Sequence, residues 1–296
     1  MHNSGLLCFS DSSQYLGSCV GSRLTIRNVD TCEVVQVFSC IDKIEKVEFS
    51  PDSEYVLCAL YMRCAVQVFC ISDPQWKCRI NEGLAGLKHA RWCPDSRHVV
   101  TESDFGIQLA VWSLIDGSCA MISYPKPGNI IAFSDDNDYC AVGLRIELQD
   151  YIGFYAVNFQ RDDINPHNNP GSSMNQWNEL AKFKCKSHDM TALHFVPGSH
   201  LIVAVESVLQ YKVTVYMPTG EVVTTYEAYQ QALGIRCLSM FRPINKGRSV
   251  AFGGKTVEER VEDGQTEGTL GSILALGSFD NKVCELQILF ILLCCS

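Results

Sequence analysis

No two cysteines in this chain stand at CxxC spacing, although 16 occur among its 296 residues. Thiolate zinc sites draw their ligands from such close pairs, so no metal centre is expected. The opening MHNSGLLCFSDSS has no basic stretch followed by an apolar core and a cleavage site. A reducing compartment and free thiols are therefore the expectation. Cys58, Cys64 and Cys70 fall among strand-like residues, where cysteine serves as a small apolar side chain. Long apolar runs are also missing. Ile288 to Cys295 is apolar over eight residues, far short of the ~20 needed to cross a bilayer, and no cysteine stands fourth from the end for prenylation. Positive charge is scarce: 24 Lys and Arg face 33 Asp and Glu, a formal net charge of −9. That balance excludes a whole surface built to neutralise phosphates and leaves only a local basic patch open.

Catalytic fingerprints are absent as well. There is no GxSxG elbow, no P-loop and no GxGxxG. Gly253-Gly254-Lys255-Thr256 ends like a phosphate loop, but the leading glycine and its spacing are wrong, so it reads as linker. Ser187, His188 and Asp189 are neighbours in sequence, whereas a triad is a spatial constellation with an oriented base. His89 and His98 flank strand residues with no second ligand fixed by spacing and read as edge or core histidines. No catalytic, cofactor-binding or metal-ligating residue is assigned, and no enzyme activity is expected.

What is present is a repeat. FSDSSQYL begins at Phe9, FSPDSEYV at Phe49, WCPDSRHV at Trp92, FSDDNDYC at Phe133 and FVPGSHLI at Phe195. These anchors are separated by 40, 43, 41 and 62 residues. Each copy is an apolar anchor, then Ser, Pro, Asp or Gly, then a return to apolar residues, which is turn chemistry between two strands. Some 18 to 22 residues after each anchor a second element recurs: Leu24-Thr25-Ile26-Arg27, Val66-Gln67-Val68-Phe69, Leu109-Ala110-Val111-Trp112, Ile152-Gly153-Phe154-Tyr155 and Val213-Thr214-Val215-Tyr216. Its alternation is that of a strand with one buried face. Another apolar run lies between the two, such as Tyr55 to Leu60 or Leu201 to Val205. Three or four short strands per ~40 residues, with no helical stretch between, match one blade of a β-propeller. At 47% hydrophobic and 19% charged, the chain has the material for a large continuous core.

These turns and strand ends resemble WD repeats, with Val111-Trp112-Ser113 nearest to the family's Val-Trp-Asp. The Asp of that motif is replaced by Asn28, Cys70, Ser113, Ala156 and Met217, and only Ser187-His188 stands where a Gly-His dipeptide belongs. The resemblance implies a propeller in which packing carries more of the stability than the family's hydrogen-bond network. A narrower resemblance covers about the first 240 residues. Leu57-Cys58-Ala59-Leu60-Tyr61, Pro74-Gln75-Trp76-Lys77-Cys78-Arg79-Ile80 with Glu82-Gly83-Leu84-Ala85-Gly86-Leu87, and Thr225-Tyr226 before Ala228-Tyr229 and Leu233-Gly234-Ile235 resemble the WD-repeat proteins of centriolar satellites and spindle poles. That resemblance implies a non-enzymatic scaffold that pairs with a coiled-coil partner and microtubule-nucleating components. Its roles would be minus-end anchoring and spindle organisation at the cytoplasmic microtubule-organising centre, with no nucleic acid and no membrane as partner.

The expected organisation is five recognisable blades and a degenerate sixth: WD-repeat blades over 1–244, a flexible Gly-rich charged loop over 245–271, and a partial blade with an apolar tail over 272–296. Phe241 is a sixth anchor, and Leu274 to Val283 reads as strand, turn and next strand. Arg161 to Gln176, rich in Asn, Pro and Ser, reads as an unpacked surface insertion that accounts for the 62-residue interval. The first blade starts abruptly at Gly5-Leu6-Leu7-Cys8, with little room for an outer strand before Phe9. In a closed propeller that strand commonly comes from the other terminus. The family pattern stops at Val283, so a C-terminally truncated ring with unpaired edges is expected. Arg27, Phe69, Trp112, Tyr155 and Tyr216 recur at one place in each repeat and read as packing positions. Loop residues that differ between blades are the better binding candidates. The alternative function is a WD-repeat substrate receptor of a ubiquitin ligase or another adaptor.

Overall fold

The computed structural model describes residues 6–128, 130–157, 177–206, 210–227, 234–241, 272–278 and 283–288. These residues form six antiparallel sheets in chain order, five of four strands and one of three. Blade 1 holds β1 (Leu7–Phe9), β2 (Tyr15–Val20), β3 (Arg23–Asn28) and β4 (Val34–Ser39). Blade 2 holds β5 (Lys46–Phe49), β6 (Tyr55–Leu60), β7 (Ala65–Cys70) and β8 (Lys77–Asn81). Blade 3 follows with β9 (His89–Trp92), β10 (His98–Glu102), β11 (Gln108–Ser113) and β12 (Cys119–Ser123). Blade 4 comprises β13 (Ile131–Phe133), β14 (Tyr139–Ile146), β15 (Gln149–Val157) and β16 (Trp177–Lys184), and blade 5 β17 (Ala192–Phe195), β18 (Ile202–Val205), β19 (Lys212–Tyr216) and β20 (Val222–Glu227). The three-stranded sixth sheet pairs β21 (Ile235–Phe241) with β22 (Ser272–Ser278), and β22 with β23 (Val283–Ile288). All three of its strands lie C-terminal to blade 5. Among the described residues no strand is exchanged between the two ends, and blade 1 builds its outer strand from its own Val34–Ser39. The insertion at 161–176 and the loop at 245–271 lie outside the described residues, as does the apolar tail from 289 onward.

Burial explains the strand patterns. The two middle strands of a blade are covered on both faces by neighbouring blades, so β6 is buried from Val56 to Leu60 and β7 throughout. Gln67 is tolerated there because its Oε1 accepts the Ile41 N–H at 2.8 Å. Outer strands are more exposed, and β20 alternates strictly along its length. Five cores result, one per neighbouring pair of sheets. Leu24, Ile26 and Phe38 meet Phe49, Leu60 and Phe69 between blades 1 and 2, with Phe38 stacked on Phe69 at 4.7 Å. Gly17 allows that approach, since a Cβ there would stand 3.2 Å from the Phe49 ring. Val203, Val205, Val213 and Val215 meet Ile235 and Leu276 between blade 5 and the sixth sheet. The far face of blade 1 is uncovered among the described residues: Leu7, Phe9, Val20 and Val37 are exposed on it.

The anchor turns form a linked series. Ser10, Ser50 and Ser134 each accept the N–H of the tyrosine five residues on, at 2.9 to 3.0 Å, closing the turn. Ser13, Ser53, Ser96 and Asn137 occupy the same place in four turns with φ of 59°, 63°, 61° and 61°. This left-handed backbone is unfavourable for a residue with a Cβ. At two of these positions it aims the hydroxyl at the preceding blade. Ser53 Oγ accepts Ser12 N–H at 3.1 Å, and Ser96 Oγ accepts Asp52 N–H at 3.0 Å. Between blades 4 and 5 a link of opposite polarity runs from Gly198 N–H of the later blade to Asp135 Oδ2 at 2.7 Å.

Candidate interaction surfaces

Antiparallel alternation places every second-to-third-strand turn, and every connection between blades, at one end of the blades. The large exposed apolar side chains gather there. Met62, Phe105 and Leu148 sit in second-to-third-strand turns of blades 2, 3 and 4, and Ile41, Leu84 and Tyr124 in connections between blades. Phe105 is 92% exposed and Leu148 86%. In the turns at the opposite end only Ile115 and Met217 are large, apolar and exposed among the described residues. Three of the first group carry backbone strain besides. Phe105, Tyr124 and Leu148 have φ of 64°, 58° and 65°, an arrangement that costs roughly 1–2 kcal/mol per residue. Bulky apolar groups held out in water on strained backbone are not explained by packing.

The second surface is internal. The five anchors Phe9, Phe49, Trp92, Phe133 and Phe195, which opened the repeats in sequence, line one central cavity of about 580 Å³. Cys8, Val47, Glu48, Arg91, Ile131, Ala132, Leu193 and His194 from the same first strands also line it, with Asp11, Pro51 and Pro94 from the adjoining turns. Burial, followed by the charge of Arg91, lowers the His194 pKa below its ordinary value, so the imidazole is neutral at pH 7. Burial likewise pushes the Cys8 thiol up to about 11 and holds the Cys93 thiol well above its ordinary value. The thiols near this cavity are thus protonated and poor nucleophiles.

Two comparisons bear on identity. The chain is 35% identical over 238 residues to the WD repeat-containing protein WRAP73 of Mus musculus, a match covering 80% of this chain and 48% of that protein. The crystal structure of Hsv2 from Kluyvelomyces marxianus superposes with a TM-score of 0.57 at 13% identity, over 96% of this chain and 72% of the other, which shows the fold alone. The chain has the β-propeller fold and is similar to a WD-repeat protein over most of its length. It spans about half the length of the curated relative it matches. No protein-family model matches the chain.

At the positions where WD repeats carry their pattern, this chain uses other hydrogen bonds. Trp112 Nε1 donates to Glu82 Oε1 at 2.7 Å and lies 3.1 Å from Thr101 Oγ1, while Thr101 also donates to Glu82. Glu82 precedes blade 3 and so ties the connection to the third strand. In blade 5 the Tyr216 hydroxyl accepts Lys186 N–H at 2.8 Å; in blade 4 Tyr155 donates to Glu179 at 3.4 Å. Phe69 packs against Phe38, and Arg27 donates to Cys32 O at 3.2 Å on the surface. These repeat positions serve packing and hydrogen bonding within blades and across their boundaries.

Ser187, His188 and Asp189 show no hydrolytic geometry. The backbone N–H groups of His188 and Asp189 both donate to Glu206 Oε1 at 2.8 Å, and Ser187 Oγ donates to Cys185 Sγ. Asp189 instead joins a buried ionic node. Asp150, wholly buried, receives Lys126 Nζ at 2.7 Å, Arg145 Nη1 at 2.5 Å and Met190 N–H at 2.6 Å, and Lys126 also reaches Asp189 at 2.5 Å. Sequence reading missed these carboxylates. One signal was available: Thr101-Glu102-Ser103 and Val205-Glu206-Ser207 repeat a Glu at the end of the second strand. In both blades it receives backbone N–H groups of a connection between blades, from Gly128 to Glu102 and from His188 and Asp189 to Glu206. His98 is buried with Nδ1 against Asp95 in its turn. No cluster of three or more His, Cys, Asp or Glu with metal-binding geometry occurs among the described residues, and no described helix is long and apolar enough to cross a membrane.

Proposed function

We propose that this WD-repeat chain is a non-enzymatic scaffold at the microtubule-organising centre, engaging a coiled-coil protein and microtubule-nucleating components in minus-end anchoring and spindle organisation. The observation that carries the docking part is the end-on apolar face of Met62, Leu84, Phe105, Tyr124 and Leu148. Such a face, built on loops over a rigid set of sheets, suits protein recognition. Similarity to WRAP73 and the residues shared with spindle-pole WD-repeat proteins support the cellular setting. Affinity purification of the tagged 296-residue chain from dividing cells, followed by mass spectrometry, tests this reading. Recovery of a coiled-coil centrosomal protein with tubulin-nucleating components is the expected outcome. Recovery of a cullin adaptor in their place would make the chain a ubiquitin-ligase receptor, and recovery of neither would remove the proposed setting.

A further inference from the structure

The central cavity contains a cation that lacks a counter-ion. Arg91 Nη2 donates to Ile131 O at 2.8 Å, and the guanidinium lies 5.6 Å from the centre of the Phe133 ring. Its Nε is sealed from solvent without a hydrogen-bond partner. No carboxylate stands within ion-pair distance of it among the described residues. The one carboxylate whose field reaches it, Glu48, is clamped by Lys46 Nζ at 2.6 Å and also receives Trp92 N–H. The other charged or titratable groups around the cavity do not help: His194 is neutral, Cys93 and Cys140 are protonated thiols, and Asp11 lies exposed on its turn. A guanidinium stays protonated even where burial lowers its pKa. A half-buried cation whose Nε is sealed without a partner is a cost that folding alone does not recover.

The walls define what relieves it. About 580 Å³ lies within the roughly 300–1,000 Å³ of small-ligand pockets. Phe49, Trp92, Phe133 and Phe195 supply flat apolar walls, with Pro51 and Pro94 beside them. Phosphate sites gather several cationic or backbone donors, whereas a single planar guanidinium suits one carboxylate. We propose that the propeller channel is a binding site for a monocarboxylate carried on an aromatic or compact apolar body, with Arg91 pairing the carboxylate and the anchor aromatics holding the body. That body is either a free small acid or the C-terminal residue of a peptide.

Isothermal titration calorimetry of the full chain with phenylacetate and N-acetylphenylalanine tests the site, with their amides as neutral counterparts and inorganic phosphate as the competing anion. At least one acid is expected to bind saturably, and at least tenfold more tightly than its amide. Preference for phenylacetate points to a small acid, and preference for N-acetylphenylalanine to a chain terminus. Arg91→Gln is expected to weaken the acid at least tenfold while the melting temperature holds. The acid-to-amide comparison on the unaltered chain stands even if that variant fails to fold. Absence of saturable binding, equal binding of acid and amide, unchanged binding by Arg91→Gln, or tighter binding of phosphate would each overturn the proposal.

Discussion

At the residue scale, the buried carboxylates decide more than the motif residues do. Asp150 holds two cations and a backbone N–H without any contact with water. Asp150→Ala leaves Lys126 buried beside Asp189 alone, and removing one partner of a buried pair costs about 3–5 kcal/mol. Asp189 also bonds Lys126, but its side chain is 57% exposed; an exposed pair is worth about 0–1 kcal/mol. Denaturant titration is therefore expected to show a large loss for Asp150→Ala and a small one for Asp189→Ala. Equal losses would mean the node is held by the loops around it. None of this was legible in the sequence, because Asp150 and Lys126 stand 24 residues apart with no spacing rule to join them. The structural use of Trp112 and Tyr216 was legible, since residues that recur at one register position face the same environment. That Glu82 takes the role of a polar partner for Trp112 was not, because a lone glutamate before a blade carries no pattern.

At the scale of the element, the anchor turn was read from Ser, Pro, Asp and Gly chemistry, and the structure adds a reason for its fourth residue. Ser13 and Ser53 share the same left-handed backbone. Only Ser53 uses its hydroxyl across a blade boundary, receiving Ser12 N–H; nothing among the described residues covers the corresponding side of blade 1. Glycine relieves the backbone penalty by about 1 kcal/mol, and a lost hydrogen bond offsets about 0.5–1.5 kcal/mol of that gain. Ser13→Gly is accordingly expected to raise stability by about 1 kcal/mol and Ser53→Gly to leave it nearly unchanged, as read by thermal and denaturant unfolding. A comparable gain from both would show that the Ser12–Ser53 bond contributes nothing. The alternation read in the third strands holds in β3, where Leu24 and Ile26 are buried and Arg27 is exposed. The expected alternation at Val66 to Phe69 gives way to full burial, because blades cover β7 on both faces. A single sequence window does not contain the neighbour that does the covering.

At the scale of the molecule, the period near 40 residues carries most of the fold: five complete blades and a degenerate sixth sheet follow from it. What it does not carry is the convergence of the anchors. Phe9, Phe49, Trp92, Phe133 and Phe195 read only as apolar anchors ahead of a turn, yet together they wall a cavity, because first strands of successive blades face a common axis. The apolar loop face was equally hidden, for Met62, Leu84, Phe105 and Leu148 lie in non-repeating segments where hydrophobicity alone does not separate burial from exposure. The account rests most on that face. The direct measurement is quantitative affinity capture from cells by the unaltered chain, by a Leu84→Ser, Phe105→Ser, Leu148→Ser variant, and by Ile115→Ser at the opposite end. Exposed substitutions of this kind change stability by about 0.5 kcal/mol or less each, so all three chains remain folded. The account predicts that the triple variant loses its principal protein partner at least tenfold while Ile115→Ser keeps it; capture of the same partner at the same level by all three would contradict it.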